Sequence, residues 1–130
     1  MNRERFSLLI RILISIILFQ TLFFKFTGAP ESVFIFSALG IEPWGRIGSG
    51  IAESIVILLI MVPTTKAIGA LFSILTMLGA IASHIFVLGI EIQMDGGLLF
   101  FLALFVFFLS LTVLYIHKEE WKNWILRGRL

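Results

Sequence analysis

Apolar residues run through this chain in long stretches with short polar breaks between them. Three stretches, Phe6 to Phe24, Ala67 to Ile90 and Leu98 to Ile116, reach the roughly 17 to 25 residues that a membrane-spanning helix needs. A fourth, Ile47 to Val62, is shorter. At about 1.5 Å per residue it reaches roughly 24 Å, so it has to thin the bilayer, begin in a recess, or extend into the turn around Trp44. The pattern predicts transmembrane helices over about 6–26, 46–62, 66–90 and 97–117, here helices 1 to 4. After helix 1, Gly28 and Pro30 break the chain, and the apolar Val33 to Leu39 is too short to span. It predicts a short re-entrant or interfacial helix between helices 1 and 2, folded as a lid over the outer end. The expected fold is therefore an all-α membrane protein, a four-transmembrane-helix bundle forming one domain over residues 1–130, with an amphipathic tail over 118–130. In that tail Trp121, Trp124 and Ile125 share a face ringed by basic residues, as in a helix lying in an anionic membrane interface.

The polar residues inside these runs carry the functional signal. Glu53 is a carboxylate within an apolar helix, where insertion scales penalise a charge by about 2.5 to 3.5 kcal/mol, so a compensating partner is required. His84 is the only imidazole well inside another apolar run. Measured from the outer border, Glu53 lies seven residues in from Arg46 and His84 seven residues in from Glu91, which puts both about 10 Å deep. Gln20 arrives at nearly the same depth from helix 1. One polar layer made of Glu53, His84 and Gln20 is expected, with Glu53 and His84 as the floor of a single site. Helix 3 carries Gly69, Ser73, Thr76, Ala80 and His84 at helical spacing, a stripe expected to face protein because small residues let helix backbones approach. Arg11, close to the start of helix 1, is expected to snorkel to the interface. Asp95 is placed to cap helix 4. Lys25 and Arg46, opposed by Glu31, Glu42, Glu91 and Asp95, are expected to close the lid through ion pairs, with a sharper alternative in which they hold a polar headgroup.

Composition agrees with the pattern: of 130 residues, 59% are hydrophobic and only 14% charged, far outside the averages of soluble domains. Arg3, Arg5, Arg11, Lys66, Lys118, Lys122, Arg127 and Arg129 fall on one side, against Lys25 and Arg46 on the other. This bias predicts cytoplasmic termini in an inner membrane, with the site facing outward. The net charge of +2 is dispersed and offers nothing to nucleic acid. With no cysteine the chain can form no thiolate metal site or dithiol centre, and any redox chemistry has to come from a bound molecule or a partner. Glu53 and His84 alone fall short of a metal shell, Gly48-Ser49-Gly50 lacks the third glycine of a dinucleotide fingerprint, and nothing indicates haem.

Lys25-Phe26, Gly40-Ile-Glu-Pro43, Arg46, Gly50-Ile-Ala-Glu53, Gly79-Ala80 followed by His84, and Asp95-Gly-Gly97 resemble the pattern of DoxX and DoxX-like membrane proteins, over about Leu8 to Tyr115. The resemblance implies a four-helix bundle and marks Glu53 and His84 for testing. Because some members are subunits of thiosulfate:quinone oxidoreductase systems, it also implies a quinone-linked role. The expected function is a subunit of a membrane redox system whose outward pocket binds a quinone or similar lipophile, with His84 as hydrogen-bond donor and Glu53 as proton partner. The expected partners are membrane lipids and a membrane or periplasmic protein. A non-enzymatic assembly or scaffold factor is the alternative. A small proton-coupled exporter comes third, since the family it borrows from keeps its glutamate in the first helix.

Overall fold

The structure is a computed structural model that describes residues 2–128; Arg129, counted above among the basic residues of the inner side, lies outside the described residues. Helix α1 (Arg3–Thr27) begins at Asn2, whose Oδ1 accepts the Arg5 N–H at 2.8 Å, and ends at Gly28 in the left-handed conformation that only glycine adopts cheaply. Helix α2 (Pro30–Ala38) starts on a proline, whose missing N–H costs nothing in a first turn. Its nine residues lie across α1, α3 and the end of α4, the cover expected of the loop. Helix α3 (Trp44–Met61) stops before Pro63, and α4 (Lys66–Ser83) follows a tight corner in which the Thr65 hydroxyl donates to Leu59 O.

The expected continuous helix over 66–90 changes character at its C-terminal end. From His84 to Leu88 it widens into a π turn, closed by the Gly89 N–H donating to His84 O, and Gly89 itself turns the chain with φ 84°. The Lys66–Leu88 unit is still long and apolar enough to cross a membrane, as are α1, α3 and α5 (Leu98–Ile116). Helix α6 (Lys118–Arg127) forms the tail. The described residues are all-helical, without strands.

The four long helices form a square in which α1 packs on α3, α3 on α4, α4 on α5, and α5 back on α1. Residues at three- and four-residue spacing turn inward: Ile10, Ile14 and Leu18 from α1, Val56 and Ile60 from α3, Ala70 and Met77 from α4, and Ala103, Val106 and Val113 from α5. The small and polar stripe of α4 faces protein as expected. A Cβ on Gly69 would sit 2.5 Å from the Ile60 nitrogen, so the backbones of α3 and α4 touch there, and Ser73 pairs with Ser110 of α5 at 2.7 Å in the dry middle. The opposite faces are apolar and open, Phe19, Phe86, Leu58 and Phe101 among them, as befits lipid contact.

Candidate functional site

Among the described residues three polar clusters interrupt this apolar bundle, and the two at the end away from the termini divide the residues expected to form one site. The first joins α1 to α3. Glu53 is buried, and its carboxylate is shared between the Lys25 ammonium, in an ion pair, and the Thr21 hydroxyl at 2.8 Å. Arg46 extends the cluster: its Nη1 donates to the backbone carbonyl of Lys25, one of the carbonyls left without a partner at the end of α1, and its Nε to Glu42 Oε1 at 2.8 Å. The guanidinium lies beside Gly28, and the Phe26 ring lies on Gly50, where an added Cβ would come within 2.8 Å. Two cations and two carboxylates thus neutralise one another within one corner.

The second cluster belongs to the π turn and the loop before α5. His84 is buried, with its Nδ1 2.9 Å from Gly89 O, so Nδ1 carries the proton and donates. Its ring meets Phe100 edge to face at 5.5 Å between centroids. Asp95 stands nearby, and its Oδ1 accepts the Ile92 and Gly97 N–H groups at 3.0 and 2.8 Å while Oδ2 accepts Leu99 N–H at 3.3 Å. Burial alone would raise its carboxyl, but these three donors, with His84 close by, hold it below its ordinary value.

Several expectations are corrected. Glu53 and His84 do not bond one another; each has its own partners, because the π turn directs His84 toward Gly89 and α5 while Glu53 faces α1. Gln20 is exposed and takes no part, since Leu18 and Leu22 define the inward face of α1 and Gln20 lies between them on the far side; its neighbour Thr21 reaches Glu53 instead. Lys25 turns into the bundle rather than toward the loop acids, and of the expected lid pairs Arg46 with Glu42 forms. Asp95 is not itself the cap residue, which is Gly97; it lies two positions earlier and reaches the first turn of α5 at Leu99 N–H.

The third cluster, at the end carrying both termini, was not foreseen. Arg11 does not snorkel. It is buried, its Nη1 donating to Ile60 O at 3.0 Å and so closing the end of α3, and its Nε to Ser7 Oγ at 3.2 Å. Ser7 Oγ is 2.6 Å from His117 Nε2, His117 Nδ1 is 2.7 Å from Glu120 Oε2, and Glu120 Oε1 is 2.8 Å from Lys66 Nζ. A neutral imidazole satisfies every bond: Ser7 donates to Nε2 and Nδ1–H donates to Glu120. Burial accordingly pushes the His117 imidazole below its ordinary value, with Lys66 and Arg11 acting the same way against Glu120 and Glu4. The available signal was the pair His117 and Glu120, three apart at a helix junction, facing a lysine that follows the Pro63 corner.

Among the described residues no three histidine, aspartate or glutamate side chains gather closely enough to hold a metal ion. Comparison of the chain with protein-family models, with characterised proteins and with solved structures finds no match.

Proposed function

We propose that this chain is a DoxX-like inner-membrane protein, with both termini cytoplasmic, that serves as a non-catalytic subunit of a quinone-linked redox complex and docks its partner through the outer end of the bundle. One observation carries the reading. Lys25, Phe26, Glu42, Arg46, Gly50 and Glu53, residues on which the resemblance rests, come together in a single corner, where Lys25 pairs with Glu53, Arg46 pairs with Glu42 and Phe26 packs on Gly50. A network of this kind sets the relative position of α1, α3 and the intervening loop, which suits a rigid docking body better than acid–base turnover. The exporter reading loses ground, because Glu53 is engaged by Lys25 and Thr21 whereas an exporter needs its carboxylate free for substrate.

Quinone contact finds its support at His84. With Nδ1 donating to Gly89 O and Phe100 packed against the ring, Nε2 is left as an accepting nitrogen, suited to the hydroxyl of a reduced quinone rather than to a quinone carbonyl.

The test is gentle purification of wild type, Glu53→Gln and His84→Ala from native membranes, with native mass spectrometry and lipid extraction. A redox-active partner, seen by its cofactor absorbance, is expected with wild type and lost with Glu53→Gln. Extracted quinone is expected to fall with His84→Ala while the partner stays. If wild type carries bulk phospholipid and a partner without any redox cofactor, the assembly-factor reading replaces this one.

A further inference from the structure

A groove of about 550 Å³ opens between the Pro63 corner, at the start of α4, and the inner face of α6. That size is within the roughly 300 to 1,000 Å³ of small-molecule sites. Its walls include Thr64, Ile68, Trp121, Asn123 and Arg127, among which Thr64, Asn123 and Arg127 bring a hydroxyl, an amide and a guanidinium to one concavity. The Trp121 indole N–H is buried, so this residue walls the groove with its ring rather than with a donor. Among the described residues, no acid pairs with Arg127. Glu120 also lines the groove, but its two oxygens are held by Lys66 and His117, so its charge is offset from behind.

The groove also has a direction. Ile68 lies at its wall, and Leu71, Phe72 and Leu75 continue from it along one face of α4 at helical spacing, all three exposed. A donor-rich basin therefore sits at the foot of an open apolar strip, at the end of the bundle where the amphipathic α6 presents Trp124, Ile125 and Leu126 outward. We propose that this groove binds the phosphate of an anionic phospholipid, with Arg127 and Asn123 on the phosphate, Thr64 donating beside it, the Trp121 ring as a wall, and the acyl chains laid along Ile68, Leu71, Phe72 and Leu75. An arginine fork matches phosphate oxygens, and the strip gives the chains a surface that a soluble phosphate cannot use.

The experiment uses the full chain in phosphatidylcholine nanodiscs containing a minor fraction of phosphatidylglycerol, with lipids retained on release counted by native mass spectrometry. Wild type is expected to retain one phosphatidylglycerol in preference to phosphatidylcholine. Arg127→Gln combined with Asn123→Ala is expected to lower that retention by about tenfold. Lys122→Gln removes a charge of the same sign from the same helix outside the groove, and is expected to change retention by about twofold at most. Arg127→Lys keeps the charge without the fork and is expected to fall between, which leaves the reading testable if the double variant does not fold by circular dichroism. Equal retention of the two lipids on wild type, or a loss with Lys122→Gln as large as with Arg127→Gln and Asn123→Ala, overturns the site. So does glycerol phosphate binding as tightly as phosphatidylglycerol, because the apolar strip would then contribute nothing.

Discussion

At the scale of single residues, the same physics yields opposite outcomes at the two ends of the bundle. His117 is buried neutral, donating to Glu120 and accepting from Ser7, and a second proton would leave the Ser7 hydroxyl without an acceptor while Arg11 still donates to its oxygen. Its folded value is held below its ordinary one, so the unfolded chain binds more protons in that window. The contribution to stability is therefore complete above the ordinary histidine value and is lost as pH falls through it toward the folded value. Thermal unfolding in detergent is expected to show a midpoint that drops from pH 7.5 to pH 5, with His117→Asn flattening the dependence; an unchanged slope in that variant would place the effect elsewhere. Asp95 makes a different prediction. Its carboxylate accepts three N–H groups, and Asp95→Ala is expected to cost about 1 to 2 kcal/mol by loss of these bonds, read as a lower unfolding midpoint.

At the scale of elements, the glycines of α4 separate close packing from simple tolerance. Gly69 touches the backbone of Ile60, and Gly69→Ala has to push α3 and α4 apart, at an expected cost of about 2 to 3 kcal/mol. Gly79, ten residues further along the same helix, has open space where its Cβ would stand, and Gly79→Ala is expected to stabilise by about 0.5 to 1 kcal/mol through helix propensity alone. Paired melts of the two variants check both, and equal effects would mean that the α3–α4 contact does not govern the packing. The helices themselves were readable from the sequence because length and apolarity suffice to mark a span. The π turn was not, since Ser83 to Leu88 is as apolar as what precedes it, and the widening depends on where His84 and Gly89 find their partners.

At the scale of the whole molecule, an apolar middle is held between polar layers, with Lys25 and Glu53 joining α1 to α3 at one end and Arg11 joining them at the other. Removing one member of the Lys25–Glu53 pair leaves a charge with little water. Glu53→Ala is expected to cost about 3 kcal/mol, while Lys25→Met together with Glu53→Met is expected to restore most of that loss. Denaturant titration of the single and double variants decides it, and a double variant as weak as the single one would show that Thr21 or Arg46, not the ion pair, ties the corner together.

What the sequence determined by itself was the one-dimensional part: four apolar spans, a short helix after Pro30, an amphipathic tail, and a rule that every charge inside a span needs a partner. Those follow from the cost of exposing apolar side chains to water and charges to lipid, which depends on local composition. Which partner each charge takes is a three-dimensional matter. Depth along the helices put Glu53, His84 and Gln20 in one layer, but rotation about each helix axis decided the contacts. Rotation placed Gln20 outside, Thr21 and Lys25 on Glu53, His84 against Gly89, and Arg11 under the end of α3. Helix rotation is set by how all four apolar faces pack at once, and no single stretch of sequence carries that information.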